Sequence, residues 1–331
     1  MIFIAKLVSF IIGFAKNTVV YSCIAAAIIS ILEMIYIKTK EKRPQISGSF
    51  LAAQSVNDAF VPDVIPEAPV KRIALITGAS SGLGRDFARK IVTDEPEISE
   101  IWLTARREGP MLDLARTLGK TSRVIPADLT NIDDIKKITD ALMGADGELS
   151  LFVNCAGMGK IGSYESLSTE EEDRMIDLNC KAAVNITRAV IPFMKENSRI
   201  IEICSTASFQ PLQYFNVYAA SKSFLYYYSR GLRMELMPKK INVTASCPFW
   251  MNNTEFLSTA NASKLDKHGR PYIRHFAGGA KSSAVAARSL TDSRLGFAVS
   301  TPGIFCTIHR FFAKLMPREV CMWFWEIGRR L

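Results

Sequence analysis

No two cysteines in this chain are spaced C-x-x-C, and its three histidines, His268, His275 and His309, hold no metal-ligand spacing with them or with each other. These absences exclude zinc fingers and ribbons and leave no metal site to expect. The seven cysteines, at 23, 155, 180, 204, 247, 306 and 321, read instead as reduced thiols. Four of them (Cys155, Cys180, Cys204, Cys247) fall in or beside apolar runs, where cysteine behaves as a small hydrophobe, and a reducing compartment suits them. There is no internal repeat and no low-complexity tract, which sets aside repeat arrays and disordered segments. A continuous basic surface is also missing. Of the net charge of +9, residues 1–43 carry +4 and residues 301–331 carry +3, so the long middle is nearly balanced. With no RNA-binding signature either, nucleic acid is not expected as a partner.

The excess of apolar residues sits at the ends. Hydrophobic residues make up 48% of the chain and mean hydropathy is +0.12. "TVVYSCIAAAIISILEMIYI", residues 18–37, is apolar over about the length that crosses a bilayer, with Glu33 its one charge. Before it, "IFIAKLVSFIIGFAK" suits an interfacial helix or one arm of a hydrophobic hairpin. A cleaved signal peptide is the competing reading, but no small-residue cleavage site stands out and the basic cluster "KTKEKR" follows. Lys38, Lys40, Lys42 and Arg43 outnumber Lys6 and Lys16, so the positive-inside rule places the body of the protein in the cytoplasm. The expectation is a membrane anchor over 1–43 with a basic flank, single-pass or monotopic, then a linker over 44–69 with four prolines. The tail 301–331 interleaves aromatic and aliphatic residues with Lys and Arg. That pattern fits an amphipathic helix on an anionic membrane surface, or a helix that covers a sheet edge.

Between residues 70 and 300 the rhythm changes. Short β-rich runs, 72–77, 101–105, 123–127, 149–154, 199–205 and 241–247, alternate with helical patterns such as 168–197 and 215–237. Alternation of this kind needs crossover connections, hence a parallel sheet with helices on both faces: an α/β, doubly wound, Rossmann-like domain.

Two local patterns carry chemistry. "TGASSGLG", Thr77 to Gly84, follows the first strand and opens a helix. Its glycines let the backbone approach a pyrophosphate while the helix N-terminus offers free N–H groups. In "VYAASKSF", Tyr218 and Lys222 stand four residues apart, one turn along a helix face, where an ammonium acts on a phenol.

Taken in order, these and other landmarks resemble the short-chain dehydrogenase/reductase superfamily over roughly residues 70–300. The glycines are spaced T-G-x3-G-x-G; "NCAG" (154–157) resembles the superfamily's N-N-A-G with Cys155 in place of the second Asn; "ADLT" holds Asp128; "DLNCKA" holds Asn179; "ICSTAS" holds Ser205; and Tyr218 with Lys222 forms Y-x-x-x-K. The resemblance implies Tyr218 as the acid that protonates a ketone oxygen, its pKa lowered by Lys222 and by the cation of the oxidised nicotinamide. It implies Ser205 as a donor to that oxygen, and Asn179 as holder of a water that links Lys222 to solvent. It places the cofactor against Gly78, Ser80, Ser81, Gly82, Leu83 and Gly84 of the loop, and against Arg106, Asp128 and Leu129. Asn154, Ala156, Gly157, Tyr218, Lys222 and Pro248 complete that set. Read locally, Ser205 serves equally as a capped strand end, Asn179 as a satisfied helix polar group and Asp128 as a helix cap.

An NAD-selective site carries an acidic residue at the end of the second strand. Here Ala105 is followed by Arg106 and Arg107, so NADP(H) is expected, with NAD(H) as the secondary option, Arg106 as reader of the 2′-phosphate and Arg107 as a surface-turn residue. After the sixth strand, Phe249 replaces a glycine usual in the superfamily, which leaves the role of Thr254 open. Phe209, Tyr214, Phe215, Phe249 and Trp250 flank the site and make it aromatic. The expectation is a reductase of a lipophilic ketone, a ketoacyl, keto-sphingoid or steroid compound, bound to membrane lipid and assembled as a homodimer or homotetramer. Its rivals are a non-catalytic NADP-binding sensor or scaffold and a reductase of a small polar carbonyl.

Overall fold

The computed structural model describes residues 70–331 except Asn252, 262–264, Lys267, 275–278 and Leu331. The anchor and linker expected over 1–43 and 44–69, with Cys23, and His275 in the later gap, lie outside the described residues. Among the described residues no helix is long and apolar enough to cross a membrane.

Seven strands form one parallel sheet in the order β3-β2-β1-β4-β5-β6-β7. They are β1 (Arg72–Thr77), β2 (Glu100–Ala105), β3 (Thr121–Pro126), β4 (Glu148–Asn154), β5 (Met194–Ile203), β6 (Asn242–Ser246) and β7 (Val299–Ser300). Period-2 alternation along β1 explains the two-sided core. Ile73 and Leu75 face one layer with Trp102, Phe152 and Ile200. Ala74 and Ile76 face the other with Leu103, Val153 and Ile201.

Helices α1 (Gly82–Asp94) and α2 (Glu108–Thr117) cover the second face through Phe87, Ile91, Met111 and Leu114. The first face is covered by α3 (Ile132–Met143), which Asn131 caps by accepting from Asp133 N. It is joined there by a long helical run. That run starts at α4 (Thr169–Ile176), behind a capping box of Ser168 and Glu171, passes through a π-helical turn (Asp177–Ala182) and continues as α5 (Ala183–Val190). The helix pattern expected to reach 197 stops at Val190, because Pro192 follows and a 3₁₀ turn leads into β5. Next comes α6 (Asn216–Leu236), then the short α7 (Glu255–Asn261), and α8 (Ser282–Arg294), which joins the second face through Val285, Ala286 and Leu290. The tail is two helices rather than one, α9 (Ile304–Leu315) and α10 (Arg318–Gly328), divided at Pro317.

The strand order reverses between β1 and β4. In an open α/β sheet a ligand crevice forms outside the carboxyl ends of the strands at that reversal.

Candidate active site

A cavity of about 1360 Å³ occupies that crevice. Its floor is the turn from β1 to α1. Gly78 takes φ +68°, where a side chain is strained, and a Cβ there would lie 3.0 Å from the Ala156 backbone. A Cβ on Gly84 would collide with the Gly78 carbonyl. The loop is therefore packed against its own helix and against the β4 turn. Ser81 sits at the N-cap of α1 with no side-chain cap, and the first turn of the helix holds no acidic residue. Its N–H groups stay available to an anion and its positive dipole end is unopposed. Ser80, Ser81, Gly82 and Leu83 line the cavity beside it.

Arg106, Asp128 and Leu129 all lie on the cavity wall. Asp128 does not cap α3; its Oδ1 accepts from Thr130 N at 3.0 Å and from Thr130 Oγ1 at 2.7 Å. Arg107, expected as a surface-turn residue, stands at the N-cap of α2 with its side chain 52% exposed and takes a partner there. Its guanidinium donates to Glu255 Oε2 at 2.8 Å and comes within 3.5 Å of Ser80 Oγ, so it ties α7 across the loop. Arg106 makes no ion pair among the described residues. Thr254 lines the cavity next to Gly82 and donates to Met251 O at 3.0 Å.

At the reacting end, Ser205, Tyr218 and Lys222 come together on the cavity wall with Ala156, Gly157 and Pro248. Ser205 is the N-cap of a 3₁₀ turn and accepts from Ala207 N at 3.1 Å. Its hydroxyl lies close enough to the Tyr218 phenol to pull that phenol's pKa down. The Tyr218 ring stacks on Phe215, with centroids 4.2 Å apart, and leans on Phe256 at 5.5 Å. Burial pushes its pKa above the ordinary phenol value, and the Ser205 hydroxyl opposes that. In the chain alone burial is the largest influence on this phenol, and Lys222 is not among the groups that shift it. The Lys222 ammonium is buried and donates to Ile203 O at 2.7 Å. Burial lowers its pKa, while Glu202 and nearby thiols raise it.

Two of the expected residues stand behind the wall. Asn179, turned inward by the π-helical turn, accepts from Met158 N at 2.9 Å and donates to Met158 O at 2.8 Å and to Ser221 Oγ at 3.0 Å. A Cβ on Gly157 would lie 3.1 Å from Asn179 Oδ1 and 3.2 Å from Lys222 Nζ, so both polar atoms face one small space. Asn154 is only 2% exposed and accepts from Thr77 Oγ1 at 3.0 Å. Thr77 Oγ1 in turn accepts from Cys155 N at 2.8 Å and Ala156 N at 2.9 Å, which holds the β4 turn open against the cavity.

Sequence reading did not single out Thr77, Glu202 or Glu255. A lone Glu inside the apolar run "RIIEICS" was a legible signal. The Arg107–Glu255 pair, 148 residues apart, offered none.

Of the expected aromatics, Phe215, Phe249 and Trp250 line the cavity. Phe209 packs instead on Tyr226 and His309, and Tyr214 stacks on Tyr272. His309 shares a hydrogen bond with Gln210 Oε1 at 3.0 Å, and no metal-holding cluster exists among the described residues. Its six described cysteines are free thiols.

A doubly wound sheet, a glycine cradle at a helix N-terminus and a serine, tyrosine and lysine gathered beyond it define a nucleotide-dependent oxidoreductase. Residues 72–265 match the short chain dehydrogenase family. The chain belongs to that family, whose members act on alcohol and ketone groups with NAD(P). It is 32% identical over 203 residues to the NADP-dependent 3-hydroxy acid dehydrogenase YdfG of Salmonella typhi, covering 60% of this chain and 81% of the relative. It is 30% identical over 207 residues to the 3-ketodihydrosphingosine reductase of Bacteroides thetaiotaomicron, covering 62% and 73%. A short-chain dehydrogenase from Sphingobium yanoikuyae, solved in complex with NADPH, superposes with a TM-score of 0.62 at 26% identity, covering 76% of this chain and 95% of that one.

Proposed function

We propose that this protein uses NADPH to reduce a ketone carried on a lipophilic molecule. The observation that carries the substrate class is the wall facing Tyr218: Phe249, Trp250 and Phe256 meet Phe305, Phe312 and Phe324 of α9 and α10 across the cavity. Such a wall offers burial to an alkyl chain or ring system and few partners to a polyol. The named ketone reductase among the relatives, acting on 3-ketodihydrosphingosine, supports a keto-lipid. Arg106, exposed on the cavity wall and without an ion-pair partner among the described residues, supports NADP(H), as do the NADP-dependent relative and the NADPH-bound structure.

With its pyrophosphate held by the glycine cradle of Gly78 to Gly84, NADPH would supply the hydride. Ser205 orients the ketone oxygen, and Tyr218, held protonated by burial, gives that oxygen its proton. Lys222, fixed by the Ile203 carbonyl, supplies positive charge that favours the phenolate left behind. Asn179 holds the space beside Gly157 through which Lys222 reaches a water for reprotonation.

We further propose that α9 and α10 rest on a membrane. Ile304 is 80% exposed and Trp323 61% exposed, with Phe311 and Ile327 also outward. The exposed Lys314, Arg318 and Arg330 flank them. The basic cluster Lys38, Lys40, Lys42 and Arg43 supports a cytoplasmic domain, where NADPH is kept reduced. Exposed Ile176 of α4 and Phe224, Tyr227 and Met234 of α6 support assembly as a homodimer or homotetramer.

The test is NADPH oxidation across ketones from small polyol precursors to 3-ketoacyl thioesters, keto-sphingoid bases and ketosteroids, with Tyr218→Phe as the blank. Turnover confined to long-chain or polycyclic members is expected; turnover confined to small polar ketones overturns the reading.

A further inference from the structure

One carboxyl behind the active site has no part in the chemistry above. Glu202 lies on β5, one residue before the carbonyl that anchors Lys222, and is 0% exposed. An isolated carboxylate there is costly, and such groups keep their proton or take a partner. Its oxygens lie 2.7 Å from Thr187 Oγ1 and 2.9 Å from Asn154 Nδ2.

Counting hydrogens decides its ground state. Thr187 Oγ1 stands 2.8 Å from Ala183 O as well as 2.7 Å from Glu202, and a hydroxyl has one proton to give. A proton on Glu202 gives each of the short contacts its own hydrogen: Glu202 donates to Thr187, Thr187 to Ala183 O, and Asn154 Nδ2 to the other carboxyl oxygen, its second hydrogen left to the longer contacts with Ala183 O at 3.2 Å and Thr187 Oγ1 at 3.3 Å. The chain then runs on through Asn154 Oδ1 to Thr77, and from Thr77 to the Cys155 and Ala156 N–H groups on the cavity wall. The acid thus holds the β4 turn on one side and neighbours the Lys222 charge on the other.

We propose that Glu202 is a positioning residue: as the uncharged acid it fixes the Asn154–Thr77 chain and leaves Lys222 the one buried charge beside Tyr218, and its ionisation diverts the Lys222 charge and slows turnover.

Burial raises the Glu202 carboxyl to about 7, with its hydrogen bonds and Lys222 opposing. The groups facing it come from several elements. From α6 come Lys222, lowered by burial, and the buried Tyr228 hydroxyl, without a hydrogen-bond partner among the described residues and pushed above its ordinary range. From β4 comes Cys155, raised to about 12. The π turn brings Cys180, also raised by burial, β5 itself brings Cys204, and β6 opposes Glu202 with Ala245. On α5 the facing group is Thr187, while Arg188 is exposed. His309, in the cavity, is pushed below the ordinary imidazole value.

The experiment uses the purified full chain. Infrared difference spectra between pH 5.5 and 8.5 should show a protonated carboxylic acid lost with a midpoint near neutrality. E202Q, whose amide reproduces the acid's donor and acceptor, should lack that band. If wild type shows no such acid at pH 6, or E202Q titrates identically, the proposal fails. That result needs no substrate. The kinetic arm rests on the ketone-reductase reading: with the ketone selected by the panel, wild-type kcat should fall about tenfold from pH 6 to 8, while E202Q changes less than about twofold. E202A should lose NADPH affinity at both pH values. Equal pH profiles for wild type and E202Q would overturn the positioning role even where the reductase reading stands.

Discussion

Lys222 Nζ lies 6.0 Å from the centroid of the Tyr218 ring and spends its short hydrogen bond, 2.7 Å, on the carbonyl of Ile203. The pair that sequence spacing places on one helix face is therefore linked by field rather than by contact. Tyr218 can give a proton only through its own hydroxyl. Tyr218→Phe is accordingly expected to lower kcat by at least about 10²-fold with the NADPH dissociation constant within about threefold of wild type. Single-turnover absorbance and a fluorescence titration measure the two; near-normal turnover would remove Tyr218 from the mechanism.

Arg106 lies on the cavity wall with no ion pair among the described residues, while Arg107 is committed to Glu255. A guanidinium reading a 2′-phosphate makes charge-assisted bonds that the unphosphorylated cofactor cannot accept. Arg106→Ala should raise KM for NADPH about 10- to 100-fold and leave KM for NADH within about twofold. Equal effects on both cofactors would show that Arg106 reads no phosphate.

Away from the cavity, Arg199 grips Glu95 through two bonds of 3.1 and 2.7 Å, with Glu95 fully buried. Burial lifts the Glu95 carboxyl above its ordinary value despite Arg199, so the charge depends on its partner. Arg199→Met should cost about 3–5 kcal/mol in urea unfolding with kcat preserved, and Glu95→Leu added to it should recover part of the loss. A double variant as unstable as Arg199→Met would contradict this account.

Glu202 also links stability to pH. Its folded value, about 7, exceeds the ordinary 4.5, so the folded state binds its proton more tightly than the unfolded chain does. Its contribution is therefore full below pH 4.5 and is lost as pH rises to about 7. Glu202→Gln lacks this loss and should gain on wild type by up to about 1.4 kcal/mol per pH unit across that window. Glu97 and Glu326, held below their ordinary range, act at lower pH and in the opposite sense. Denaturant melts at pH 5 and pH 7 measure the gap, and a constant gap would argue that Glu202 is ionised throughout.

For the hairpin of α9 and α10, Ile304→Ser, Phe311→Ser and Trp323→Ser combined should leave turnover of a small soluble ketone intact. Turnover of a long-chain ketone presented in phosphatidylcholine and phosphatidylserine vesicles should drop about tenfold. Unchanged vesicle turnover would place the hairpin away from lipid.

What the sequence determined by itself is local. Alternating apolar runs at β1 and β4, the glycine turn from Gly78 to Gly84 and the Tyr218–Lys222 interval depend on neighbours a few residues apart, and the structure keeps them at or within a few residues of where they were read. The short β7 escaped notice because two residues carry no periodicity, and the helix expected to 197 ended early at Pro192. Tertiary structure decided the rest. Asn154 meets Glu202 across 48 residues, Arg107 meets Glu255 across 148, and the divided tail walls the cavity, because strand order and helix packing bring distant segments together. The direction of the Lys222 ammonium belongs there too: a buried charge turns to whichever carbonyl the neighbouring strand presents, and the helix spacing of Tyr218 and Lys222 says nothing of β5.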